Sequence, residues 1–551
     1  MSKKVIIIGG VAGGASAAAR LRRLDESTEI VLFERGQYIS FANCGLPYYI
    51  GGVIQDRQDL LLQTPESMMK RFRIDIRVNS EVVAVDAKNK KVTVKSIDRG
   101  IYDETYDKLI LSPGAKAIRP DIPGIGSKKI FSLRNISDTD SIKTYIDQNK
   151  VRSSIVIGGG FIGVETAENL QEMGLEVSLV EAAPHILAPF DIDMVLYAEQ
   201  ELKNNGVNLI LNDGVESFEE FKDRIEVMLK SSTRLSADMV ILAIGVAPDT
   251  AFLRDSGLDL GPKGHILVNE YLETNIPDIY AIGDAIEVKD YITKQNTAVP
   301  LAGPANKQGR IAADNIAGRR TRYKGTQGTF ILKIFKLCAA ATGANERTLK
   351  RLGIAYKSVI LHPFSHASYY PGAMQMHLKL IFGNDGKVLG AQAIGYDGVD
   401  KRIDVIASVI HLGGTVDDLA ELELAYAPPF SSARDPVNMA GYVAQNVLSG
   451  LSHMITWEEV KKLNPDDYML LDVRTEFEYK NGHVPGAIHI PVDELRDRLQ
   501  ELNPDKIIVE YCQVGHRGHV ADRILSQHGF KVMNVTGGYR TIRMIEDHNS
   551  T

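Results

Sequence analysis

The chain contains the same local pattern twice, and this repetition constrains its fold more than any other feature. The two copies, "KVIIIGGVAGG" and "SIVIGGGFIG", each place a run of aliphatic residues before a glycine-rich turn. A helix-like segment and a second apolar strand follow, and these second strands end in Glu34 and Glu181. Continuous apolar strands are typical of parallel sheets covered by helices. The chain is therefore predicted to be an α/β protein with two strand–helix–strand units.

The second copy carries the full glycine pattern of a dinucleotide-binding turn. Gly158, Gly160 and Gly163 lie between a predicted strand and a predicted helix. They permit a tight turn and let a pyrophosphate approach the positive end of the helix. Glu181 can accept hydrogen bonds from a ribose diol, and its charge would repel a 2′-phosphate, which favours NADH while leaving NADPH open.

The first copy departs from this pattern at one position. Gly9 and Gly14 occupy the outer glycine positions, but Val11 stands in the middle. Such a turn, taken alone, also fits a simple packed strand–turn–helix unit. Glu34 lies at the right distance for a ribose, and "TNIPDIYAIGDAIE" delivers Asp284, whose short side chain can face the polar chain of a cofactor. These features together favour a second dinucleotide site.

The cysteine content and the charge narrow the remaining possibilities. Cys44, Cys338 and Cys512 lie far apart, which suits a reducing cytoplasm better than a disulfide framework. No cluster has zinc-site spacing, so no metal is expected. The net charge of -7 disfavours nucleic acid as a partner. No apolar run is long enough for a membrane span, and glycines interrupt the one stretch that resembles a signal peptide.

Changes in sequence character divide the chain into predicted segments. From about residue 326 the pattern becomes that of an antiparallel α+β domain with an "NDGK" hairpin turn. After a boundary near 446–455, a small α/β pattern begins. The predicted segments are 1–150 and 271–325 for the first dinucleotide-binding domain, 151–270 for the second, 326–450 for the α+β domain and 455–551 for the C-terminal α/β domain.

The order of these features resembles the FAD-dependent pyridine nucleotide-disulfide oxidoreductases. The resemblance covers residues 1 to about 445 and includes "SFANCGLPYY", which holds Cys44 between the two glycine-rich units. It implies that the first unit binds FAD, that the second binds NAD(P)H and that the third domain builds a homodimer. Cys44 would then be the thiol beside the flavin.

Cys44 has no second cysteine near it, unlike the paired cysteines of the glutathione-reductase type. Lone-cysteine relatives use either a sulfenic acid, as in NADH oxidases and peroxidases, or a mixed disulfide with a small thiol, as in coenzyme A-disulfide reductases. The oxidase and peroxidase relatives carry a histidine in the first glycine-rich turn, where this chain has Ala12. The mixed disulfide is therefore favoured.

Three stretches, "SFANCG", "YYPG" and "AYAPPFSSARDPVN", resemble coenzyme A-disulfide reductases. The resemblance implies that the leaving coenzyme A sulfur receives a proton from a tyrosine of the other subunit. A packing role is the alternative for Tyr426. The implied residues are Ser40 and Asn43 flanking the bound thiol, and Tyr426 with either Tyr369 or Tyr370 as the tyrosines.

Two further expectations concern charge near this site. The attacking sulfur must be a thiolate, so Cys44 needs a lowered pKa, which a position opening a helix beside an oxidised flavin would supply. Arg20 and Arg23 on the first predicted helix could bind coenzyme A phosphates, because guanidinium groups match phosphate oxygens. A solvated helix face is the alternative for both arginines.

The C-terminal stretches "DVRTEFEYKNGHVPGAIHIPVDEL" and "YCQVGHRG" resemble a single rhodanese domain. The resemblance implies an active loop from Cys512 to Arg517, between a strand and a helix that starts just after Arg517. Its N–H groups would form an anion cradle that lowers the thiol pKa and holds a persulfide. Asp472 and Arg474 would support the loop, and Cys338 in its apolar run is expected to be inert.

Taken together, these features predict an NAD(P)H- and FAD-dependent reductase of CoA disulfide, CoA persulfide or polysulfide, with Cys512 handling sulfane sulfur. The nearest alternative is an NADH oxidase or peroxidase that uses a Cys44 sulfenic acid. A redox-sensing or sulfur-trafficking protein is the third possibility. The predicted fold combines two Rossmann-like domains, an α+β dimerisation domain and a C-terminal α/β rhodanese domain.

Overall fold

A computed structural model describes residues 3–549 of the chain. The chain forms two compact units. The first includes the residues up to Ile186 and resumes over Asn205–Gly328, and the second combines Leu187–Asn204 with the chain from Thr329 onward. The segment 151–270, predicted as one domain, thus contains a stretch that groups with the second unit.

The first glycine-rich turn belongs to a five-stranded parallel sheet in the first unit. Its central strand, Lys4–Ile8, buries its aliphatic residues, because both faces of such a parallel sheet are covered. Helices Ala12–Leu24 and Ala302–Ile316 pack against each other beside this sheet. Across the sheet, the strands are Ile279–Ala281, Lys108–Leu111, Lys4–Ile8, Glu29–Phe33 and Asp75–Arg77.

The second glycine-rich turn belongs to a parallel sheet of the same design. Its central strand is Ser153–Ile157, and helix Phe161–Glu172 follows the turn. The two strand–helix–strand units predicted from the sequence are therefore confirmed. Across the sheet, the strands are Asn208–Ile210, Glu176–Val180, Ser153–Ile157, Met239–Leu242 and Ile130–Ser132.

Short sheets and further helices complete the first unit. The strands form the sets Ser80–Asp86, Lys91–Ser96 and Gly100–Thr105; Val215–Glu220, Ile225–Leu229 and Arg234–Ala237; Ala115–Ala117 and Val246–Pro248; and Ile266–Leu267, Ile286–Lys289 and Asn296–Thr297. The remaining α-helices are Leu46–Ile50, Pro65–Phe72 and Ile136–Asn149, and the 3₁₀ turns are Asn43–Gly45, Arg57–Leu60, Ala251–Leu253 and Gly283–Ala285.

The second unit contains an antiparallel sheet and a parallel sheet. The "NDGK" turn joins Met376–Phe382 to Val388–Gly395, which confirms the predicted hairpin, and Gly386 adopts a positive φ of 81° there. The antiparallel strands in order are Phe330–Ile334, Leu337–Gly343, Val388–Gly395, Met376–Phe382 and Lys357–Leu361. The parallel strands in order are Met454–Ile455, Lys531–Val535, Ile507–Tyr511, Tyr468–Asp472 and Ile488–His489.

Helices cover both sheets of the second unit. Within residues 3–549, no helix combines the length and the apolar character required to cross a bilayer. The α-helices are Ile192–Asn204, Glu346–Leu352, Val399–Leu412, Val416–Glu421, Pro436–Leu448, Trp457–Val460, Glu476–Lys480, His516–Gln527 and Gly538–Asn549, and the 3₁₀ turns are Leu495–Asp497 and Leu499–Glu501.

A buried ionic cluster anchors the segment Leu187–Asn204 in the second unit. The ammonium group of Lys379 lies 2.7 Å from the carboxylate of Asp193, 3.0 Å from that of Glu346 and 3.2 Å from that of Asp191. Lys379 is only 1% exposed. A charge buried this deeply requires such partners, because an unpaired one would be strongly destabilising.

Two buried histidines join the antiparallel sheet to the last helix of the chain. The Nδ1 atoms of His362 and His377 lie 2.7 Å apart, and Nε2 of His362 lies 2.9 Å from the hydroxyl of Thr541. The His377 ring stacks on Tyr197, with ring centroids 3.5 Å apart. Burial, with the charge of Arg540 adding to it, lowers the pKa of His362 to about 3. Burial and the neighbouring histidine lower the pKa of His377 to about 2.

We expect the free energy of unfolding to fall as the pH is lowered from about 6.5 to about 5, because the unfolded histidines bind protons that the buried pair does not. Each buried histidine contributes up to about 1.4 kcal/mol per pH unit in this window. His377→Phe, which keeps an aromatic ring on Tyr197, should flatten the pH dependence of unfolding in denaturant titrations. His411→Gln, at an exposed position, should leave the slope unchanged, and equal slopes for wild type and His377→Phe would contradict the expectation.

Candidate active sites

The first glycine-rich turn brings its predicted residues together after the central strand of the first sheet. Gly9 has a positive φ of 94°, and a Cβ on Gly14 would lie 1.8 Å from the carbonyl oxygen of Gly9. Only glycine permits this approach of the helix to the strand. The Glu34 carboxylate accepts hydrogen bonds from the N–H groups of Gly10 and Gly36, each at 2.9 Å. It therefore lies beside the turn.

Helix Ala12–Leu24 begins directly after this turn without a side-chain cap. Its N-cap residue is Val11, whose side chain cannot accept a hydrogen bond, so the first N–H groups have no side-chain acceptor. A phosphate oxygen is the kind of acceptor that such a helix end attracts. The turn therefore fits the pyrophosphate of a dinucleotide although valine replaces the middle glycine.

The second glycine-rich turn has the same geometry. Gly158 has a positive φ of 107°, and a Cβ on Gly163 would lie 1.8 Å from the carbonyl oxygen of Gly158. Gly160 is the N-cap of the following helix and faces open space, so a ligand can approach its backbone. The Glu181 carboxylate accepts a hydrogen bond from the Gly159 N–H at 2.6 Å. These residues fit a pyrophosphate at the helix end and a ribose at the carboxylate.

Asp284 lies in the short turn Gly283–Ala285 and pairs with Arg134. The guanidinium of Arg134 donates to the Asp284 carboxylate at 2.8 Å and to the backbone oxygen of Ala115 at 3.1 Å. The side chain of Gln308 accepts a hydrogen bond from the Gly283 N–H at 2.7 Å. The sequence analysis missed Arg134, because a single arginine in an ordinary connection has no motif.

Cys44 is exposed and lies in the turn Asn43–Gly45, which leads into the helix Leu46–Ile50. The side-chain amide of Asn43 faces Arg134. It can donate to the backbone oxygen of Arg134 at 2.7 Å and accept from the guanidinium at 3.1 Å. Arg134 therefore links the turn that carries the thiol to Asp284.

The protein's own groups raise the pKa of the Cys44 thiol, contrary to the expectation from the sequence. Cys44 keeps an exposed surface, but desolvation of its sulfur has the largest effect, and the Glu165 and Asp284 carboxylates raise the pKa further. Arg134 acts in the opposite direction. The helix after Cys44 has only five residues, and the partial charge of so short a helix does not outweigh these effects. A lower pKa would require a bound group that stabilises the thiolate.

Glu165 and Tyr48 form a second pair near the thiol. The hydroxyl of Tyr48 lies 3.5 Å from Glu165 Oε1. Burial, followed by repulsion from Glu168, raises the pKa of Glu165 to about 7. The sequence analysis missed this pair. The available signal was a carboxylate two positions after Gly163, in the otherwise apolar start of a helix.

A groove of about 390 Å³ opens beside the first helix of the first unit. Arg20 and Arg23 line it, as does Ser40. The guanidinium of Arg20 also pairs with Asp314 at 2.7 Å, so its charge is partly compensated. Both predicted arginines therefore line a groove, and Arg23 is also exposed to solvent.

Arg71 and Arg310 line the same groove and were missed by the sequence analysis. They come from helices Pro65–Phe72 and Ala302–Ile316, which are far apart in the chain. The sequence contains no motif that joins them to Arg20. Only the packing of the three helices gathers these charges around one groove.

The predicted tyrosines lie in the second unit. The hydroxyl groups of Tyr369 and Tyr426 are 3.0 Å apart, and the two side chains are 74% and 48% exposed. Tyr370 instead packs its ring against His366, with ring centroids 5.8 Å apart. The structure therefore brings Tyr369 and Tyr426 together and leaves Tyr370 outside this pair.

Cys512 lies between strand Ile507–Tyr511 and helix His516–Gln527, at the start of the predicted loop. The helix begins at His516, one residue before Arg517, whereas the sequence analysis placed its start just after Arg517. The Gly515 N–H donates to the sulfur of Cys512 at 3.1 Å. Cys512 is only 1% exposed, so the loop surrounds its thiol closely.

The loop does not lower the pKa of Cys512 as expected. Burial raises it, and the charge of Glu510 adds to this effect. The backbone N–H groups of Gly518, Val514 and Gly515 act in the predicted direction but are weaker. The thiol is therefore held in a cradle of donors that favours a negative charge once one is formed.

Both arginines predicted for the rhodanese site are paired with carboxylates. Arg474 donates to Asp472 at 2.6 Å and to the side chain of Gln513 at 3.1 Å. Arg517 pairs with Glu478, which the sequence analysis did not select. The available signal was the pattern of a capping box, Thr475 followed by Glu478, at the start of helix Glu476–Lys480.

Cys338 lies on strand Leu337–Gly343, opposite Lys333 and Gly395. It is half-buried, so it is less enclosed than the expected core position. Its place within a regular sheet assigns it no part in the sites described above.

Comparison with known families identifies the class of the protein. The family profile for pyridine nucleotide-disulphide oxidoreductases matches residues 3–309, and that for the dimerisation domain of these enzymes matches residues 330–437. The profile for rhodanese-like domains matches residues 456–544. The chain belongs to the pyridine nucleotide-disulphide oxidoreductase family and carries a C-terminal rhodanese domain. The predicted fold class is confirmed.

Three similar proteins narrow this class. The chain is 39% identical to the coenzyme A disulfide reductase of Staphylococcus haemolyticus, over 81% of this chain and 100% of that protein. The crystal structure of reduced Bacillus anthracis CoADR-RHD is 53% identical with a TM-score of 0.97, covering 100% of this chain and 99% of that one. The NAD-dependent persulfide reductase from A. fulgidus is 35% identical with a TM-score of 0.91, covering 98% and 99% of the two chains.

Glu165→Gln is expected to lower the pKa of Cys44, because it removes one of the charges that raise it. Alkylation of Cys44 by iodoacetamide in the holoprotein at about pH 8, where Glu165 is charged, should become about threefold faster. Glu172→Gln, an exposed position on the same helix, is the matched control and should not change the rate. An unchanged alkylation rate in Glu165→Gln would mean that Glu165 does not act on the thiol.

Proposed function

We propose that this protein is an NADH- and FAD-dependent reductase of coenzyme A disulfide and of coenzyme A persulfide or polysulfide, with a rhodanese domain that handles sulfane sulfur. The observation that carries this proposal is the presence of two thiols in different settings. Cys44 is exposed in a turn that Arg134 links to Asp284, whereas Cys512 is enclosed by a loop of N–H donors. The first setting suits exchange with a disulfide, and the second suits a persulfide.

Residues of the two glycine-rich turns would hold the cofactors. Gly9, Gly14, Glu34 and Asp284 would hold FAD, while Glu181 and the glycines of the second turn would hold NADH. FAD, when bound, supplies two-electron transfer between a nicotinamide and a sulfur–sulfur bond. The charge of Glu181 disfavours the 2′-phosphate of NADPH.

The groove beside the first helix would bind coenzyme A. Its arginines, Arg20, Arg23, Arg71 and Arg310, match the phosphates of this substrate, because guanidinium groups bind phosphate oxygens in pairs. Ser40 lines the same groove and precedes the thiol turn in sequence. A coenzyme A molecule held by its phosphates could therefore extend its sulfur toward that turn.

Cys44 would form a mixed disulfide with coenzyme A. Its thiolate attacks one sulfur of CoA disulfide, a Cys44–S–S–CoA bond forms, and one CoA thiolate leaves. With CoA persulfide, the same bond forms and hydrosulfide leaves. Reduction of the mixed disulfide returns both thiols, and the leaving sulfur takes up a proton. Asn43 holds the thiol turn against Arg134.

Tyr369 and Tyr426 would donate that proton. Their hydroxyl groups are hydrogen-bonded and exposed, so they are accessible to a second molecule. The match to the dimerisation domain supports a homodimer, in which this pair would act on the substrate of the partner subunit. Tyr370 packs on His366, so we favour Tyr369 for this role.

Cys512 would carry sulfane sulfur as a persulfide. The N–H groups of its loop would stabilise the terminal sulfur, and Asp472 with Arg474 would keep the loop in place. A pantetheine arm could then carry sulfur from this loop to the Cys44 site.

The two alternative functions have less support. An NADH oxidase or peroxidase that uses a Cys44 sulfenic acid would be expected to have a histidine where this chain has Ala12. A sensor or trafficking protein would need neither the groove of arginines nor an exposed tyrosine pair.

Cys44→Ser should abolish anaerobic NADH oxidation with both CoA disulfide and CoA persulfide, because no mixed disulfide can form. Cys512→Ser should impair turnover of polysulfide while CoA disulfide reduction continues. Both are measured as NADH consumption by the holoenzyme. Rates that survive in Cys44→Ser would contradict the proposal. Turnover of oxygen or peroxide instead of the disulfides would favour the oxidase. If NADH does not bleach the flavin of the wild type, the sensor is favoured.

Arg71→Gln and Arg310→Gln should each raise the KM for CoA disulfide about tenfold, because each removes a guanidinium that would contact phosphate. The same variants should raise the KM for the small disulfide cystamine much less, because cystamine has no phosphate. Lys70→Gln removes an exposed charge from the same helix as Arg71 and serves as the control. Equal effects of Arg71→Gln on both substrates would mean that the groove does not bind the phosphates.

A further inference from the structure

Glu478 holds Arg517 at the Cys512 loop. The guanidinium donates two parallel hydrogen bonds to the carboxylate, at 2.6 and 2.7 Å. The same carboxylate also accepts from the N–H of Thr475 at 3.0 Å and from its hydroxyl at 2.9 Å. Four hydrogen bonds therefore fix the position of the Glu478 carboxylate and, through it, that of the Arg517 side chain.

This pairing neutralises a cation that acts on the thiol. The charges of Arg517 and Cys512 are close enough to interact. Hydrogen bonds from Arg517 hold the pKa of Glu478 at about 2, so its carboxylate is charged at neutral pH. The other guanidinium of the site, that of Arg474, is neutralised by Asp472 in the same way. The formal charges of these two arginines and two acids sum to zero.

The backbone of a third arginine, Arg540, contacts the loop. The backbone N–H of Arg540 donates to the backbone oxygen of Gln513 at 3.1 Å. The charge of its side chain lowers the pKa values of His362 and His377. The buried Glu510 adds no positive charge. The loop thus offers N–H donors to an incoming anion without a compensating excess of positive charge from the paired arginines.

We propose that Glu478 is a specificity residue that makes the Cys512 loop discriminate against small dianionic sulfur donors, of which thiosulfate is the simplest, and favour organic persulfides. This inference rests on the proposed role of Cys512. A fixed negative charge repels a dianion about twice as strongly as a monoanion at the same distance. Coenzyme A persulfide carries its phosphates at the far end of a long arm, so only its terminal sulfur brings charge to the loop.

Both transfers are balanced and differ only in the leaving group. With thiosulfate, the Cys512 thiolate attacks the outer sulfur, the sulfur–sulfur bond of the donor breaks, and sulfite leaves with the electron pair. With an organic persulfide, the same attack releases the thiolate of the donor. Both leave a Cys512 persulfide anion, and cyanide as acceptor removes its outer sulfur as thiocyanate and restores the thiolate. Neither transfer requires a net oxidant or reductant.

Glu478→Gln tests this inference in the full-length holoenzyme without NADH. Glutamine can still serve the capping box and accept a hydrogen bond from Arg517, so the variant removes mainly the charge. With thiosulfate as donor and cyanide as acceptor, kcat/KM should rise about tenfold, chiefly through KM. With hydroxyethyl persulfide, which has no other charge, the rise should be about threefold, because the interaction energy is halved. Added salt should bring the rises in kcat/KM for the two donors closer together, because it screens exposed charges.

Two matched variants separate charge from structure. Glu476→Gln removes a charge from the same short helix, where Glu476 pairs with Lys480 at 2.6 Å, and should keep the wild-type donor ratio. Glu478→Asp keeps the charge while disturbing the hydrogen bonds, and should also keep that ratio. The same donor ratio in wild type and Glu478→Gln would overturn the inference. A wild type that transfers sulfur from neither donor would instead overturn the proposed role of Cys512.

Discussion

The approach of a helix to the strand before it is the constraint on which both dinucleotide sites depend. In each unit, a Cβ on the last glycine of the turn, Gly14 or Gly163, would lie 1.8 Å from the carbonyl oxygen of the first, Gly9 or Gly158. Because no side chain fits there, the helix can start directly at the end of the strand, with its N–H groups open to a phosphate. A carboxylate on the next strand then lies at the fixed distance of a ribose. The same construction is made twice in the first unit of the chain.

Charge compensation is the second common element of the sites. Arg134 is paired with Asp284, Arg20 with Asp314 and Arg517 with Glu478. Pairing holds a guanidinium in one orientation, because its flat fork matches a carboxylate. It also reduces the positive field that each site presents to an anion. The thiols therefore receive little help from cations, and the pKa values of Cys44 and Cys512 are raised by desolvation. Reactivity at both sulfurs then depends on what binds beside them.

The two thiols differ in access, and this difference suits different sulfur chemistry. Cys44 is exposed in a turn whose position is set by Asn43 and Arg134, so a bulky disulfide can reach it. Cys512 is almost completely enclosed by a loop at a helix start, which suits the storage of one sulfur atom. Under the proposed function, these two settings would separate the handling of sulfane sulfur from the reduction of sulfur–sulfur bonds. A carrier with a long flexible arm is the kind of substrate that could serve both sites.

The sequence alone determined the two strand–helix–strand units, the hairpin and the C-terminal domain, because glycine spacing, strand hydrophobicity and turn residues act over short distances along the chain. It also placed Cys44 and Cys512 after their strands and turns. Only the tertiary structure gathered the groove arginines, which come from three helices, and placed Glu165 beside Tyr48. It also reversed the expected direction of both thiol pKa values. These properties depend on desolvation and on charges from distant segments, and no local pattern records which segments pack together.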